Sequence, residues 1–190
     1  MTKIINFTHE EQAAAVNTLL LAFSVDPFQR YLMPNPSIFL RNSTLWFKNA
    51  ASQSISINAL LGTNDLSGVA IWFPPDYIVK FDDIEETFQD LPENSKKDIF
   101  RYFNEFEESK PKDAWYLEYL GVDPNCHSRG LGSMLLKKSL EKIDKLHQPA
   151  YLESSNPRNM TLYERHGFET IKKIQFGEGP PMHTMYREAR

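Results

Sequence analysis

Apolar residues in this chain fall into short blocks whose period changes along the length. From Glu10 to Phe23, Ala14, Leu20, Leu21 and Phe23 recur at helical spacing. Asp26-Pro27 closes that pattern, because the residue before a proline is pushed out of the helical region. Ser37 to Ser56 predicts a second helix carrying Phe39, Leu40, Leu45, Trp46 and Phe47. The turn-forming pairs Asn64-Asp65 and Ser67-Gly68 then lead into Val69-Ala70-Ile71-Trp72-Phe73, a buried strand stopped by Pro74-Pro75.

Residues 76–112 break this rhythm. They are acidic (Asp82, Asp83, Glu85, Glu86, Asp90) and helical by pattern, with Phe100, Tyr102, Phe103 and Phe106 clustered at helical spacing. They end in the linker-like Ser109-Lys110-Pro111-Lys112. An inserted helical segment is expected, either a packed helical pair or a flap lining a substrate pocket.

The C-terminal half has the clearest grammar. A strand over 114–122 is followed by a helix over about 130–146, with Leu136, Leu140 and Ile143 on one face and lysines opposite. A strand at Ala150 to Ser154 comes next. Strand–helix–strand of this length implies two parallel strands joined by a right-handed crossover. Asn156-Pro157 supplies an N-cap and a first-turn proline for a short helix through Arg165, ended by Gly167. Ile171 to Phe176 and His183 to Arg187 read as final strands around Gly177-Glu178-Gly179-Pro180-Pro181. The expected fold is α+β with a mixed sheet, one domain over 1–190.

Composition narrows the function classes. The 190 residues are 41 % apolar and 13 % aromatic, enough for a real core. A net charge of −4 leaves no domain-wide basic footprint for nucleic acid. The longest apolar stretch, Ala13 to Phe23, is interrupted by Asn17 and Thr18 and is too short to span a bilayer. Glu10 and Glu11 are unlike a signal peptide, so a cytoplasmic protein is expected, without membrane attachment. The single cysteine rules out an intramolecular disulfide and suits a reducing compartment. The five histidines lack metal-ligand spacing, so no metal is expected. Monomer and homodimer both remain open.

The chemically informative run is Val122-Asp123-Pro124-Asn125-Cys126-His127-Ser128-Arg129-Gly130-Leu131-Gly132-Ser133, where strand passes into helix. Two glycines and a serine let backbone N–H groups point inward at a helix N-terminus, a ready site for phosphate oxygens. A P-loop is excluded, since no Gly-x4-Gly-Lys-Ser/Thr occurs. Gly130-x-Gly132-x-x-Leu135 lacks the third glycine of a dinucleotide fingerprint. Glu153 sits about where a ribose-binding acid would fall, but the path from Val122 to Gly130 is too long for that tight turn.

The run resembles the acetyl-CoA signature of the GNAT superfamily of N-acetyltransferases. That signature is Val-x-Pro, then Gln/Arg-x-x-Gly-x-Gly/Ala, here Val122-Asp123-Pro124 and His127-Ser128-Arg129-Gly130-Leu131-Gly132. A second element of the family, an asparagine followed by tyrosine and Gly-Phe, is matched by Asn156, Tyr163 and Gly167-Phe168. His127 stands where the family usually has Gln or Arg, and Ser128 where glycine is common. Within the superfamily the chain is most similar to the puromycin N-acetyltransferase group. Ala22-Phe23, Val69-Ala70-Ile71-Trp72, Trp115-Tyr116-Leu117, Leu152-Glu153-Ser154-Ser155, Pro157-Arg158-Asn159, Tyr163-Glu164-Arg165 and Gly177-Glu178-Gly179-Pro180 carry that likeness.

The resemblance implies a centrally splayed mixed sheet flanked by helices, with 76–112 inserted before an acetyl-CoA-binding core over 114–176. It also implies that acetyl-CoA lies along Leu120, Gly121 and Val122, with its diphosphate on His127 to Ser133. Asn156, Asn159 and Tyr163 are further cofactor contacts. Tyr163 is the expected general acid, since a phenol keeps its proton at neutral pH. Glu118 and Glu153 compete for the role of base, each needing desolvation to raise an ordinary carboxylate pKa. Asp26 either holds a cationic amine or serves a helix end, while Cys126 is a remote candidate for an acetyl-cysteine intermediate. Direct transfer to the primary amine of a small molecule is expected. A peptide or protein amine is the alternative acceptor, and a noncatalytic acyl-CoA-sensing domain the alternative function.

Overall fold

The computed structural model describes residues 2–81 and 84–190; Asp82 and Asp83 of the acidic stretch lie outside the described residues. Strands β1 (Ile4–Asn6), β2 (Leu60–Thr63), β3 (Gly68–Phe73), β4 (Trp115–Val122), β5 (Ala150–Ser154), β6 (Glu169–Ile174) and β7 (Met182–Arg187) form one mixed sheet in the order β1-β2-β3-β4-β5-β7-β6. The helices are α1 (Gln12–Phe23), α2 (Pro27–Leu32), α3 (Pro36–Ser56), α4 (Glu93–Ser109), α5 (Leu131–Lys145) and α6 (Pro157–Glu164). None is long and apolar enough to cross a membrane among the described residues.

Each sheet face has its own core. Trp115, Leu117, Leu152 and Tyr163 meet Leu135, Leu136, Leu140 and Ile143 of α5 on one face. On the other, Val69, Ile71 and Phe73 meet Ala15, Val16 and Leu19 of α1 and Phe47, Ala50 and Ala51 of α3. A third cluster joins α2 to α4: Phe28, Leu32, Phe39, Trp46, Ile99 and Tyr102.

Several expectations are corrected. Helix α1 starts at Gln12 rather than Glu10, because the Thr8 amide and hydroxyl both donate to the Glu11 carboxylate (2.8 and 2.7 Å) and hold Glu10 and Glu11 in a turn. The buried stripe of α1 runs through Ala15, Val16 and Leu19, leaving Leu21 50 % exposed. Leu40 and Leu45 likewise face outward from α3. Asp26-Pro27 ends α1 and also begins α2, whose first amides are capped by Asp26 Oδ1 (Phe28 3.0 Å, Gln29 2.9 Å). Strands β1 and β2 were hidden by brevity. Residues 76–112 hold one long helix, α4, and a 3-10 turn at Glu85–Asp90 instead of a helical pair. The strand expected at Ile171 to Phe176 lies at Glu169–Ile174, and its exposed sheet-edge position removes the apolar signal that would mark it.

Strand β4 organises the active region. It pairs with β3 along its length, from Gly68↔Val122 to Phe73↔Tyr116, with a bulge that leaves Glu118 without an opposite residue. The bulge lets Tyr116 and Tyr119, three apart, both pack on the α1/α3 face, which strict alternation forbids. On its other side β4 pairs in parallel with β5 only at Trp115↔Ala150, Tyr116↔Tyr151 and Leu117↔Leu152. Beyond Leu117 the two strands part, which is the splay expected of this fold. Gly121 lies beneath α1: a Cβ there would meet Leu19 Cδ2 at 2.9 Å and Ala22 Cβ at 3.0 Å. Gly121→Val therefore destabilises the fold by about 1–3 kcal/mol by forcing α1 off β4. Denaturant unfolding followed by circular dichroism measures this, and an unchanged midpoint contradicts the packing.

Candidate active site

The parting of β4 and β5 opens into a cavity of about 880 Å³. Glu118, Tyr119 and Leu120 come from β4, Glu153 and Ser154 from β5, and Asn159 and Tyr163 from α6. Phe28 from α2 and Phe103 and Phe106 from α4 complete an aromatic wall opposite the sheet.

The two candidate bases are brought to one cavity. Burial pushes the Glu153 carboxyl up to about 7, helped by the charge of Glu118 and opposed by the phenols of Tyr116 and Tyr151 and by Lys110. Burial likewise lifts Glu118 to about 7, against the Lys110 ammonium and the phenols of Tyr116 and Tyr119. Two acids facing one apolar space cannot both ionise freely, so the pair titrates jointly. Lys110 reaches the same wall, with its ammonium 2.8 Å from Glu107 Oε1 and 5.2 Å from the Tyr116 ring centroid.

Tyr163 is 7 % exposed and packs edge-on to Phe168, at a ring separation of 6.2 Å. Burial, then the charge of Asp26, raises its pKa, so the hydroxyl holds its proton through the physiological range. Asp26 does serve a helix end, and its Oδ2 also accepts from the Ser155 hydroxyl. That bond ties α2 to the chain just after β5. Desolvation pushes the Asp26 pKa up, while Ser155 and the amides of Gln29 and Phe28 oppose the rise.

The corner before α5 is open and built for an anion. Gly130 takes φ +76° and has nothing within 4 Å of a Cβ position, so its backbone conformation explains the glycine. Among the described residues, the backbone N–H groups of 128–133 have no protein partner, and residues 127–130 are exposed. Gly132 serves packing instead, as a Cβ there would meet Leu162 at 3.3 Å. Side chains leave the cradle free. His127 Nε2 lies 3.2 Å from the Val122 carbonyl oxygen, Arg129 Nη1 lies 3.2 Å from Cys126 Sγ, and Ser133 Oγ pairs with His166 Nε2 at 3.0 Å. The Ser133–His166 bond clamps the start of α5 to the segment after α6. At its other end Arg187, 3 % exposed, makes a two-point ion pair with Asp144 (2.6 and 3.0 Å). Such a cradle can take an anion such as a phosphate, and the unpaired edge of β4 over residues 118–122 offers an extended ligand a strand to pair with.

Asn156 caps α6 through its Oδ1 to the Arg158 amide (3.1 Å) and stays off the cavity wall, whereas Asn159 is on it. Leu120 and Val122 are half-buried at the parting, and Gly121 faces α1. Sequence reasoning missed Lys110, Tyr116, Tyr119 and Gln29 as cavity residues. An unusual density of tyrosines on β4 was the available signal for two of them; nothing in a single sequence marks the others. Among the described residues no group of three or more His, Cys, Asp or Glu is placed to hold a metal.

Comparison with known proteins agrees with this architecture. An uncharacterized N-acetyltransferase of Schizosaccharomyces pombe is 28 % identical over 196 residues, covering 92 % of this chain and 78 % of the relative. A Corynebacterium glutamicum structure described as histone acetyltransferase HPA2 and related acetyltransferase superposes with a TM-score of 0.70 at 21 % identity, covering 100 % of this chain and 97 % of that one. Arylalkylamine N-acetyltransferase 2 of Aedes aegypti gives 0.69 at 15 % identity, covering 100 % and 99 %. These likenesses in structure speak for the fold alone. The profile of the acetyltransferase (GNAT) family matches residues 66–168, from the turn before β3 through the corner, α5, β5 and α6. On that match, which spans more than half of the sequence, the chain belongs to the GNAT acetyltransferase family.

Proposed function

We propose that this acetyltransferase moves the acetyl group of acetyl-CoA directly to a primary amine of a small molecule in the cytoplasm. The observation that carries the reading is one cavity holding two half-buried carboxyls of raised pKa and a protonated buried phenol at the parting of β4 from β5. Bound acetyl-CoA supplies an acyl group activated as a thioester. Backbone N–H groups of 128–133 hold its diphosphate, and the free edge of β4 at Leu120 to Val122 orients its arm. His127 to Ser133 thus act through the main chain, which tolerates the departures from the usual motif at His127 and Ser128.

An amine arrives largely protonated at neutral pH and must lose a proton before it can attack. Glu153, with Glu118 beside it in charge, is the acceptor of that proton, since a carboxylate with a pKa near 7 is a far better base than an ordinary one. The Tyr163 hydroxyl is the proton source for the departing thiolate. Asn159, on the wall, is a contact for the arm of the co-substrate, and Asn156 holds α6 in place. A small acceptor is favoured by the aromatic wall of α2 and α4 facing the acids, by the likeness to the puromycin group, and by the arylalkylamine specificity named for the Aedes relative.

A panel of primary amines, puromycin and polyamines included, incubated with acetyl-CoA tests the reading through thiol release. At least one amine should raise release well above hydrolysis; equal background for all of them favours a sensing domain. With that amine, Tyr163→Phe lowers kcat by about 10²- to 10⁴-fold and leaves CoA affinity unchanged. Loss of CoA binding in that variant would instead make the tyrosine a packing residue.

The carboxyls also set a pH dependence. Their folded pKa values lie above the ordinary 4.5, so the folded state prefers them protonated. This contribution to stability is present below about pH 4.5 and is lost as pH rises through about 7. Catalysis runs the other way, because the proton acceptor is ionised only above that point. Urea unfolding between pH 5 and 8 should show Glu153→Gln flattening the decline seen in the unchanged protein. Parallel curves for the two proteins would mean that Glu153 titrates normally.

A further inference from the structure

Five buried side-chain polar atoms have no hydrogen-bond partner among the described residues, and two of them belong to cavity-lining side chains: Glu153 Oε1 and Gln29 Oε1. Glu153 has a role in moving a proton. Gln29 has none so far. It is 6 % exposed, and its side-chain amide makes no hydrogen bond to any described residue. The main chain around it is fixed, since its N–H donates to Asp26 Oδ1 (2.9 Å) and its carbonyl accepts from the Met33 amide (2.9 Å). A neutral amide buried without partners lowers stability, so it is kept where something else satisfies it.

Other polar groups on this wall are already engaged within the protein. Trp46 Nε1 donates to Thr87 Oγ1 at 2.6 Å, Asp26 is bonded to Ser155 and to α2, and Lys110 is paired with Glu107. Asn159, also on the wall, is assigned to the co-substrate arm; of the groups that then remain to meet an acceptor molecule, among them Glu118, Glu153 and Tyr163, Gln29 is the neutral amide, unsuited to moving protons. Gln29 follows Asp26 by one helical turn, so it sits on the stretch of α2 that Ser155 ties to the end of β5. On the same cavity wall Phe28, Leu32 and the Trp46 ring belong to the apolar cluster between α2 and α4.

We propose that Gln29 is a specificity-determining residue that hydrogen-bonds a hydroxyl group of the acceptor. The preferred acceptor is then a bulky apolar primary amine carrying a hydroxyl apart from the reacting nitrogen. An amide presents a donor at one end and an acceptor at the other, and a half-turn exchanges them. A hydroxyl is both donor and acceptor, and it satisfies whichever end faces the cavity. This inference rests on the acetyl-transfer reading, and its test separates the two.

The test uses 2-phenylethylamine with its ring-hydroxylated and chain-hydroxylated counterparts, on the unchanged protein and on Gln29→Met, which keeps the volume and removes the amide. For at least one pair the unchanged protein should favour the hydroxylated amine in kcat/KM by at least about tenfold. In Gln29→Met that ratio should fall to near one, through loss of the hydroxylated amine alone, while the des-hydroxy amine reacts as before. The Tm of the variant should stay level or rise, because an orphaned amide has been removed. A preference that survives the substitution, no preference in either protein, or a variant that loses both amines equally with a lowered Tm overturns the assignment. If no amine of this set or of the wider panel is acetylated, the acetyl-transfer reading has failed by itself. Gln29 is then judged by thermal shifts with the same pairs, where equal shifts in both proteins overturn it.

Discussion

The site depends on one interruption of backbone pairing. Strand β4 keeps its hydrogen bonds to β3 from Tyr116 to Val122 but keeps its parallel neighbour only through Leu117. Two constraints hold it there. Gly121 packs directly against α1, where a Cβ would meet Leu19 and Ala22, so this end of β4 is seated on the helix. On the other side β5 ends at Ser154, and Asn156 and Pro157 turn the chain at once into α6. Unpaired main-chain groups normally count against a fold, since buried donors and acceptors are expensive to leave alone. Here they border a cavity and are available to a ligand.

Electrostatics follow from the same opening. The space between the strands is walled by aromatic rings from α2, α4 and β4, so charges on Glu118 and Glu153 lose water without gaining a close cation. Lys110 softens the penalty from one side, and the surrounding phenols soften it further. Desolvation wins, and both acids are drawn toward neutrality. Tyr163 responds to the same burial in the opposite chemical sense, because a phenol hidden from water simply keeps its proton. One apolar chamber therefore holds two carboxyls drawn toward neutrality beside a phenol that keeps its proton.

How much of this could be read from residues alone varies with the kind of signal. Long periodic segments were legible: α5 through Leu136, Leu140 and Ile143, and β3 through its unbroken apolar run. The corner was legible because backbone-mediated anion binding requires glycine and small residues at fixed places, and Gly130 at φ +76° is such a place. The short edge strand β1 was not, and β6 was read two residues too late, since both are exposed and carry little hydrophobic pattern. Nor was the outward turn of Leu21 and Leu40, because a helix with apolar residues on several faces does not announce which one is buried. Glu118 and Glu153 were named as candidates, but their raised pKa values come from neighbours distant in sequence, as does the isolation of the Gln29 amide. Asp26 shows both limits at once: its place before Pro27 marks a helix start, and its bond to Ser155 is a purely tertiary fact.

The central claim is that the parted edge of β4 and the corner before α5 form one continuous ligand site. Amide hydrogen exchange with and without coenzyme A addresses it residue by residue. Slower exchange concentrated at 118–122 and 128–133 on binding is the predicted result. Binding that protects some other surface, or that leaves both segments exchanging as in the free protein, contradicts it.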